Sequence, residues 1–265
     1  AYTVGRPIRA VASQAGAVAA GAPVALTRTR GGAVREADEL FEAIRAMAAT
    51  LESRAGYIRA FATEVSHEFK TPLTAIRGAL ELLQDHAETM TEAERARFLG
   101  AALADVERLD RLVRRLLDLA RAEAPGAAEG VSDVGAVARD VAAPFGATAG
   151  GPALRAAIAP EALRAVLGLL LDNVRQHAGE GARAWVTWRE AEGGVEIEVR
   201  DDGRGVSAGN AARVFDRFFT TAREAGGTGL GLAIARGRVE AVGGRIGLRE
   251  VERGACFVVW VRRAG

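Results

Sequence analysis

The 265-residue chain holds one cysteine, one lysine and two asparagines. The lone cysteine, Cys256, excludes an intrachain disulfide and points to a reducing compartment. No apolar run approaches the ~18 residues that a membrane-crossing helix needs. An excess of one charge is also missing. The formal net charge is +1, which argues against a nucleic-acid binder that works by bulk charge. No signal peptide is visible and the chain begins at Ala1 without a methionine, so it reads as a fragment of a longer protein. Arginine and alanine are abundant where lysine and asparagine are scarce, as in a GC-rich genome that avoids AT-rich codons. The survivors are therefore informative, and Lys70 and Asn173 both fall inside motifs. Hydrophobic content of 49% against 26% charged predicts a folded chain, long enough for two domains or one large one.

The most informative residue is His67, in the run Ser66-His67-Glu68-Phe69-Lys70-Thr71-Pro72-Leu73. Around it Ile58, Phe61, Val65, Phe69, Leu73, Ile76, Leu80 and Leu83 step by three and four residues, the spacing of one helix face. At about 100° per residue, His67 lies roughly 200° on from Val65 and points away from that stripe. An exposed histidine beside a carboxylate, one turn before a proline, is either a solvated surface residue, as His86 is read, or a reactive one.

Residues 1 to about 52 read as helix, connector, helix. Pro7 is tolerated early in a first helix striped by Ile8, Val11, Ala15 and Val18. Gly21-Ala22-Pro23 ends that helix, and Arg30-Gly31-Gly32 breaks the connector. A second helix starts near Glu36, with Leu40, Ile44, Met47 and Leu51 at heptad-like spacing, and nothing stops it before His67; Gly56 is its weak point. It runs to about Asp85. Thr91-Glu92-Ala93-Glu94 then opens another helix, with Phe98, Ala102, Val106, Leu109, Val113, Leu116 and Ala120 on one face. Such a hairpin has too little core alone, so a four-helix bundle formed by dimerisation is its natural completion. Ala124-Pro125-Gly126-Ala127 is a linker. Beyond it helices alternate with strands: 183–189 and 195–200 around Glu192-Gly193-Gly194, then 245–250 and 256–262 around Arg253-Gly254. The pattern predicts an α+β domain with helices on one face of a mixed sheet.

Four signals cluster in that domain. Asn173, in Leu169-Leu170-Leu171-Asp172-Asn173-Val174-Arg175-Gln176-His177, offers a neutral oxygen suited to Mg²⁺ whose shell is completed by water and phosphates. Asp201-Asp202-Gly203-Arg204-Gly205 follows a strand; its glycines admit a ligand close to the backbone, and Asp201 can accept from an exocyclic amine. Phe215-Asp216-Arg217-Phe218 sets an arginine between aromatics. Gly227-Thr228-Gly229-Leu230-Gly231-Leu232 opens a helix whose free N–H groups suit phosphate. Each has a plain alternative: a helix-surface Asn, an Asp-Gly turn, core phenylalanines, or the glycine loop of a dinucleotide site. A dinucleotide loop follows the first strand of a βαβ unit, whereas this one comes late, after a flexible stretch.

This order of boxes resembles the ATP-binding domain of sensor histidine kinases, within the wider group of gyrase, Hsp90 and MutL ATPases. The Ser66–Leu73 run resembles their H-box. Arg6-Pro7-Ile8 and Asp38-Glu39-Leu40 are similar to a HAMP signal-relay domain. The resemblance implies HAMP at 1–52, a dimerisation and phosphotransfer domain at 53–124, and a catalytic ATP-binding α+β sandwich (Bergerat fold) at 128–265. It implies that His67 accepts phosphate from ATP, that Glu68 is the general base and that Thr71 positions a water for dephosphorylating the partner. Pro72 is expected to bend the helix after the reactive site. The resemblance further implies that Asn173 holds Mg²⁺ and Asp201 the adenine, with Gly203 and Gly205 around it. Arg217 approaches the γ-phosphate, and Gly227, Gly229 and Gly231 the phosphates, with His177, Phe215, Thr228 and Leu230 in the same nucleotide site. Residues 219–226 form a lid. The implied partners are a second copy of the chain and the receiver domain of a response regulator, with no nucleic acid. The implied location is the cytoplasmic portion of a bacterial inner-membrane protein, anchored by an upstream transmembrane segment. Two other readings keep the fold: a kinase acting mainly as a phosphatase of its regulator, and a hydrolysing ATPase. Three features depart from the family pattern: Leu169 where a second asparagine is usual, Gln176 where a basic residue is usual, and a short Gly/Ala/Pro-rich stretch at 146–160.

Overall fold

The computed structural model describes residues 35–122, 124, 126, 128–222 and 227–264. The first HAMP-like helix, its connector and the side chains of Asp38, Glu39 and Leu40 lie outside the described residues. So do lid residues 223–226. The chain divides into two compact units at the Thr71–Pro72 bond.

The first unit contains one described element, the N-terminal part of helix α1, which spans Arg35–Asp85 as a single 51-residue run. The predicted start near Glu36 and end near Asp85 agree with it. Gly56 sits inside with open space around it and does not break it. Pro72 is also inside the helix, so the helical run passes through the residue where a bend was expected.

In the second unit the end of α1 leads through a turn, in which Met90 N–H donates to His86 O at 2.9 Å, into α2 (Glu92–Ala122). The sequence signal at 91–94 is a reciprocal capping box. Thr91 N–H donates to Glu94 Oε2 at 2.9 Å, and Glu94 N–H donates to Thr91 Oγ1 at 3.3 Å. The Thr91 hydroxyl and backbone bonds hold the Glu94 carboxyl below its ordinary pKa. The predicted apolar stripes are only partly covered. In α1, Ile58, Leu73 and Leu80 are exposed while Pro72 and Ala79 are buried. In α2, Ala102, Leu112 and Leu119 are buried while Val106 and Val113 are exposed. Both helices therefore carry apolar residues on two faces, and one face of each is open.

The rest is a layered α+β domain. Strands β1 (Ser132–Asp133) and β3 (Arg155–Ala156) pair antiparallel. Helix α3 (Val134–Ala142) starts on Asp133, whose carboxylate accepts from Ala136 N–H at 2.9 Å, and a 3₁₀ turn covers Ala143–Phe145. Then come β2 (Thr148–Gly150), α4 (Pro160–His177), β4 (Ala184–Ala191), β5 (Gly194–Asp201), the short α5 (Ala208–Ala211), α6 (Gly231–Glu240), β6 (Arg245–Arg249) and β7 (Cys256–Arg262). The sheet order is β2-β4-β5-β7-β6, with β2–β4 parallel and the other pairs antiparallel. The predicted mixed sheet is thus present, and the predicted strands differ from the observed ones by a residue or two at their ends. The 146–160 stretch folds as two short strands. Glu192 and Gly193 make the β4–β5 loop with φ of 50° and 71°, the left-handed pair that matches the twist of a hairpin.

Alternation along the strands sends one face inward. Val186, Trp188, Val195, Ile197, Val199, Phe257, Val259 and Val261 are buried, and α4 covers them with Leu163, Val166, Leu167 and Leu170. Each such side chain contributes about 1.5–3 kcal/mol by leaving water. Cys256 is buried at the edge of this layer. Burial, and then the Glu198 charge, push its thiol up to about 11, so it stays protonated. No helix among the described residues is long and apolar enough to cross a membrane.

Candidate functional site

Two places carry the predicted chemistry. The first is on α1. His67 is exposed, and Thr71, one turn later, is exposed with it. The Thr71 hydroxyl donates to the His67 carbonyl at 3.3 Å, so its resting position is against the backbone. Glu68 is 9% exposed, on the covered side of the helix. Pro72 has no N–H to give the Glu68 carbonyl, yet it lies within the continuous run of α1.

The second place is a cavity of about 340 Å³ at the end of α4. Asn173, Gln176 and His177 project from the last turns of α4, and Thr228, Gly229 and Gly231 come from the glycine loop at the start of α6. A second lobe of about 670 Å³ adjoins it, sharing Asn173, Gln176 and His177 and reaching Gly205, Ser207 and Asn210. Leu169 also lines the first lobe. Two of the three departures from the family pattern, Leu169 and Gln176, are therefore cavity-wall positions.

The glycines are required by close approach. At Gly229, φ is +66° and a Cβ would sit 2.3 Å from the Phe218 carbonyl carbon. Phe218 itself has φ of +60°, a strained conformation for a bulky residue, so the F-box and glycine loop interlock at that point. At Gly203 a Cβ would lie 2.3 Å from the Ala178 carbonyl oxygen, just past the end of α4. Gly203 faces a separate hollow of about 430 Å³ formed with residues 178–182. Asp201 is 3% exposed and accepts from Gly203 N–H at 2.8 Å, which fixes the loop.

His177 Nδ1 lies 3.2 Å from Thr221 Oγ1, linking α4 to the first residues of the expected lid. Desolvation lowers the His177 pKa, so its ring is neutral near pH 7. Phe215, Arg217 and Leu230 are not on the walls of either lobe. Phe215 stands edge-on to Phe257 at 6.2 Å in the core, and Leu230 is fully buried. Arg217 is part-buried, and its pKa is lowered by desolvation and then by the nearby Arg236 charge. Gly227 donates its N–H to Ala222 O at 2.9 Å and closes the loop rather than lining the cavity.

Four residues of α2 also line the first lobe: Arg111, Arg114, Arg115 and Asp118. The Arg115 guanidinium lies 3.3 Å from Asp172 Oδ2, and Arg175 holds the other oxygen of Asp172 at 2.7 Å. Their spacing is the one signal the sequence carried. In an arginine-rich helix it does not separate them from a solvated face.

Among the described residues no group of three or more His, Cys, Asp or Glu could hold a metal ion. Any Mg²⁺ here would depend on phosphate oxygens and water beside a single hard protein oxygen, and Asn173 at the cavity wall fits that donor set.

Known proteins share this arrangement. The family described as histidine kinase-, DNA gyrase B- and HSP90-like ATPases matches residues 158–265. The His Kinase A (phospho-acceptor) domain matches residues 57–125. A phospho-acceptor helix followed by an ATPase domain defines a protein-histidine kinase. The chain belongs to the bacterial sensor histidine kinases. The sensor histidine kinase ZraS of Escherichia coli O157:H7 is 33% identical over 213 residues, covering 76% of this chain and 45% of ZraS. Full-length ShkA, solved in complex with AMPPNP, is 27% identical with a TM-score of 0.52, covering 78% of this chain and 46% of ShkA. Histidine kinase ThkA, solved in complex with the response regulator TrrA, has a TM-score of 0.64 at 19% identity, covering 80% of this chain and 64% of ThkA; that likeness shows the fold. The chain spans less than half the length of the curated relatives it matches.

Proposed function

We propose that this chain is the signal-relay and kinase portion of a two-component sensor. It phosphorylates His67 with ATP and passes the phosphoryl group to an aspartate on a response-regulator receiver domain. The observation that carries this is the exposed His67 followed by Glu68 on α1, in one chain with a glycine-loop cavity headed by Asn173. The AMPPNP on ShkA and the regulator on ThkA support the nucleotide and partner assignments.

In this reading a neutral imidazole nitrogen of His67 attacks the γ-phosphorus in line, and the bond to the ADP oxygen breaks. Glu68 accepts the ring proton, or the hydrogen bond that balances the charge growing on the ring. Thr71, one turn on, turns its hydroxyl from the His67 carbonyl toward a water for regulator dephosphorylation. Thr228, Gly229 and Gly231 present backbone N–H groups to the phosphates while Gly227, bonded to Ala222 O, closes the loop behind them, and Asp201 receives the adenine amine across the Gly203–Gly205 loop. Asn173 would hold Mg²⁺, which supplies charge neutralisation at the phosphates when bound. Arg217 reaches the γ-phosphate only after a rearrangement of the segment before the lid. Residues 1–52 act as the HAMP relay, 53–124 as the dimerisation and phosphotransfer domain, and 128–265 as the catalytic domain. An upstream membrane segment would anchor the whole at the inner membrane. A purely hydrolysing ATPase leaves the phospho-acceptor domain match without a role.

Incubation with γ-labelled ATP and Mg²⁺ should give an acid-labile phosphoprotein, and His67→Ala should lose it. Labelling that survives in His67→Ala refutes the assignment.

A further inference from the structure

The walls of the 340 Å³ lobe differ sharply in charge. Among the described residues, the part of the wall that comes from the ATPase-like domain contains no arginine or lysine, and its one ion is Asp172. Its histidine, His177, is held neutral by desolvation. A nucleotide polyphosphate carries several negative charges, and glycine-loop N–H groups leave most of them uncompensated. The cations on this lobe are Arg111, Arg114 and Arg115. At positions i, i+3 and i+4 they form one stripe of α2.

That stripe is fixed in place. Ala122, at the end of α2, is 1% exposed, and a Cβ on Gly237 of α6 would be 3.6 Å from the Ala122 Cβ. The same α6 begins with the glycine loop, so the packing that seats α2 also sets its arginines beside the phosphate cradle. The resting partners of the arginines are easily exchanged. Arg111 is 3.8 Å from Glu107, with both side chains more than half exposed. Arg115 shares Asp172 with Arg175, so Asp172 keeps one cation if Arg115 leaves. Guanidinium groups match phosphate oxygens with paired, charge-assisted hydrogen bonds.

We propose that α2 is part of the nucleotide site: Arg111 and Arg115 bind the polyphosphate and supply the cationic contact that Gln176 does not. The proposal rests on the nucleotide reading of this cavity. It means that bound nucleotide ties the catalytic domain to the helix of the phosphotransfer hairpin, with the adenosine part in the larger lobe independent of that tie.

The test titrates the full chain with AMPPNP and with adenosine, in the presence of Mg²⁺, by calorimetry. Arg111→Ala/Arg115→Ala should bind AMPPNP about tenfold or more weakly and adenosine unchanged to within about twofold. Arg111→Lys/Arg115→Lys should recover part of the loss. The wild type should lose AMPPNP affinity more steeply with added salt than the alanine variant. An unchanged ratio of the two affinities would overturn the proposal. Equal loss of both ligands would mark a packing role and overturn it too. A wild type that binds neither ligand would instead sink the nucleotide reading itself.

Discussion

His67 and His177 sit in opposite environments, and solvent sets the difference. His67 is open to approach, as the proposed phosphoacceptor role requires. Periodicity alone was enough to place it off the apolar stripe. Its neighbour Glu68 is nearly covered, as are Pro72 and Ala79 further along α1. His177 was a nucleotide-site expectation, and it stands on the wall of both lobes with Thr221 on its ring. Its pKa is lowered from the ordinary 6.5 by desolvation, so the folded protein takes up a proton less readily than the unfolded chain. The stability that His177 contributes is therefore complete above pH 6.5 and is lost as the pH falls through its lower folded pKa. Denaturant midpoints measured between pH 7.5 and 5 should fall more in the wild type than in His177→Gln. Parallel curves would show that the ring is not desolvated. Asp201 and Phe215 show the limit at this scale: residue type and spacing selected them, but only packing could reveal that one sits behind its loop and the other in the core.

At the scale of elements, helix ends and turns were the most legible features, since local chemistry makes them. The Thr91–Glu94 box, the Asp133 cap and the Glu192-Gly193 turn are each complete within a few residues. The unbroken run of α1 from Arg35 to Asp85 was also readable, because nothing in it except Gly56, Pro72 and Gly78 opposes helix. A continuous helix carries rotation and translation along its axis, so it is the element through which an N-terminal signal would reach His67. Inserting one or two residues after Ser53 turns everything before it by about 100–200° relative to His67, and should change the autophosphorylation rate. A seven-residue insertion restores the phase to within ~20° and should restore the rate. Rates indifferent to both insertions would refute rigid coupling. The burial of the stripes was not legible, because apolar residues at three-and-four spacing on two adjacent faces look in sequence like one broad face.

For the whole molecule, the open apolar faces are the most consequential feature. Leu73 and Leu80 are each 52% exposed and seven residues apart on α1, while Val106 and Val113 repeat that spacing on α2. A hairpin that leaves such rows in water is incomplete, and a second copy completes it as a four-helix bundle. Light scattering should find a dimer, and Leu73→Glu/Leu80→Glu should give monomers that keep the sheet domain folded. A wild type that is monomeric at tens of micromolar would rule out the bundle. The sequence by itself determined the helical hairpin, the mixed sheet, the exposed position of His67 and the four boxes of the ATPase-like domain, because each is written in local periodicity, turn chemistry or a short motif. Only the tertiary structure decided which of the box residues reach the cavity and which hold the core. It alone brought the α2 arginines to the wall of the glycine-loop cavity, because that placement follows from Ala122 packing on Gly237, over a hundred residues away along the chain, and no local pattern encodes such a contact.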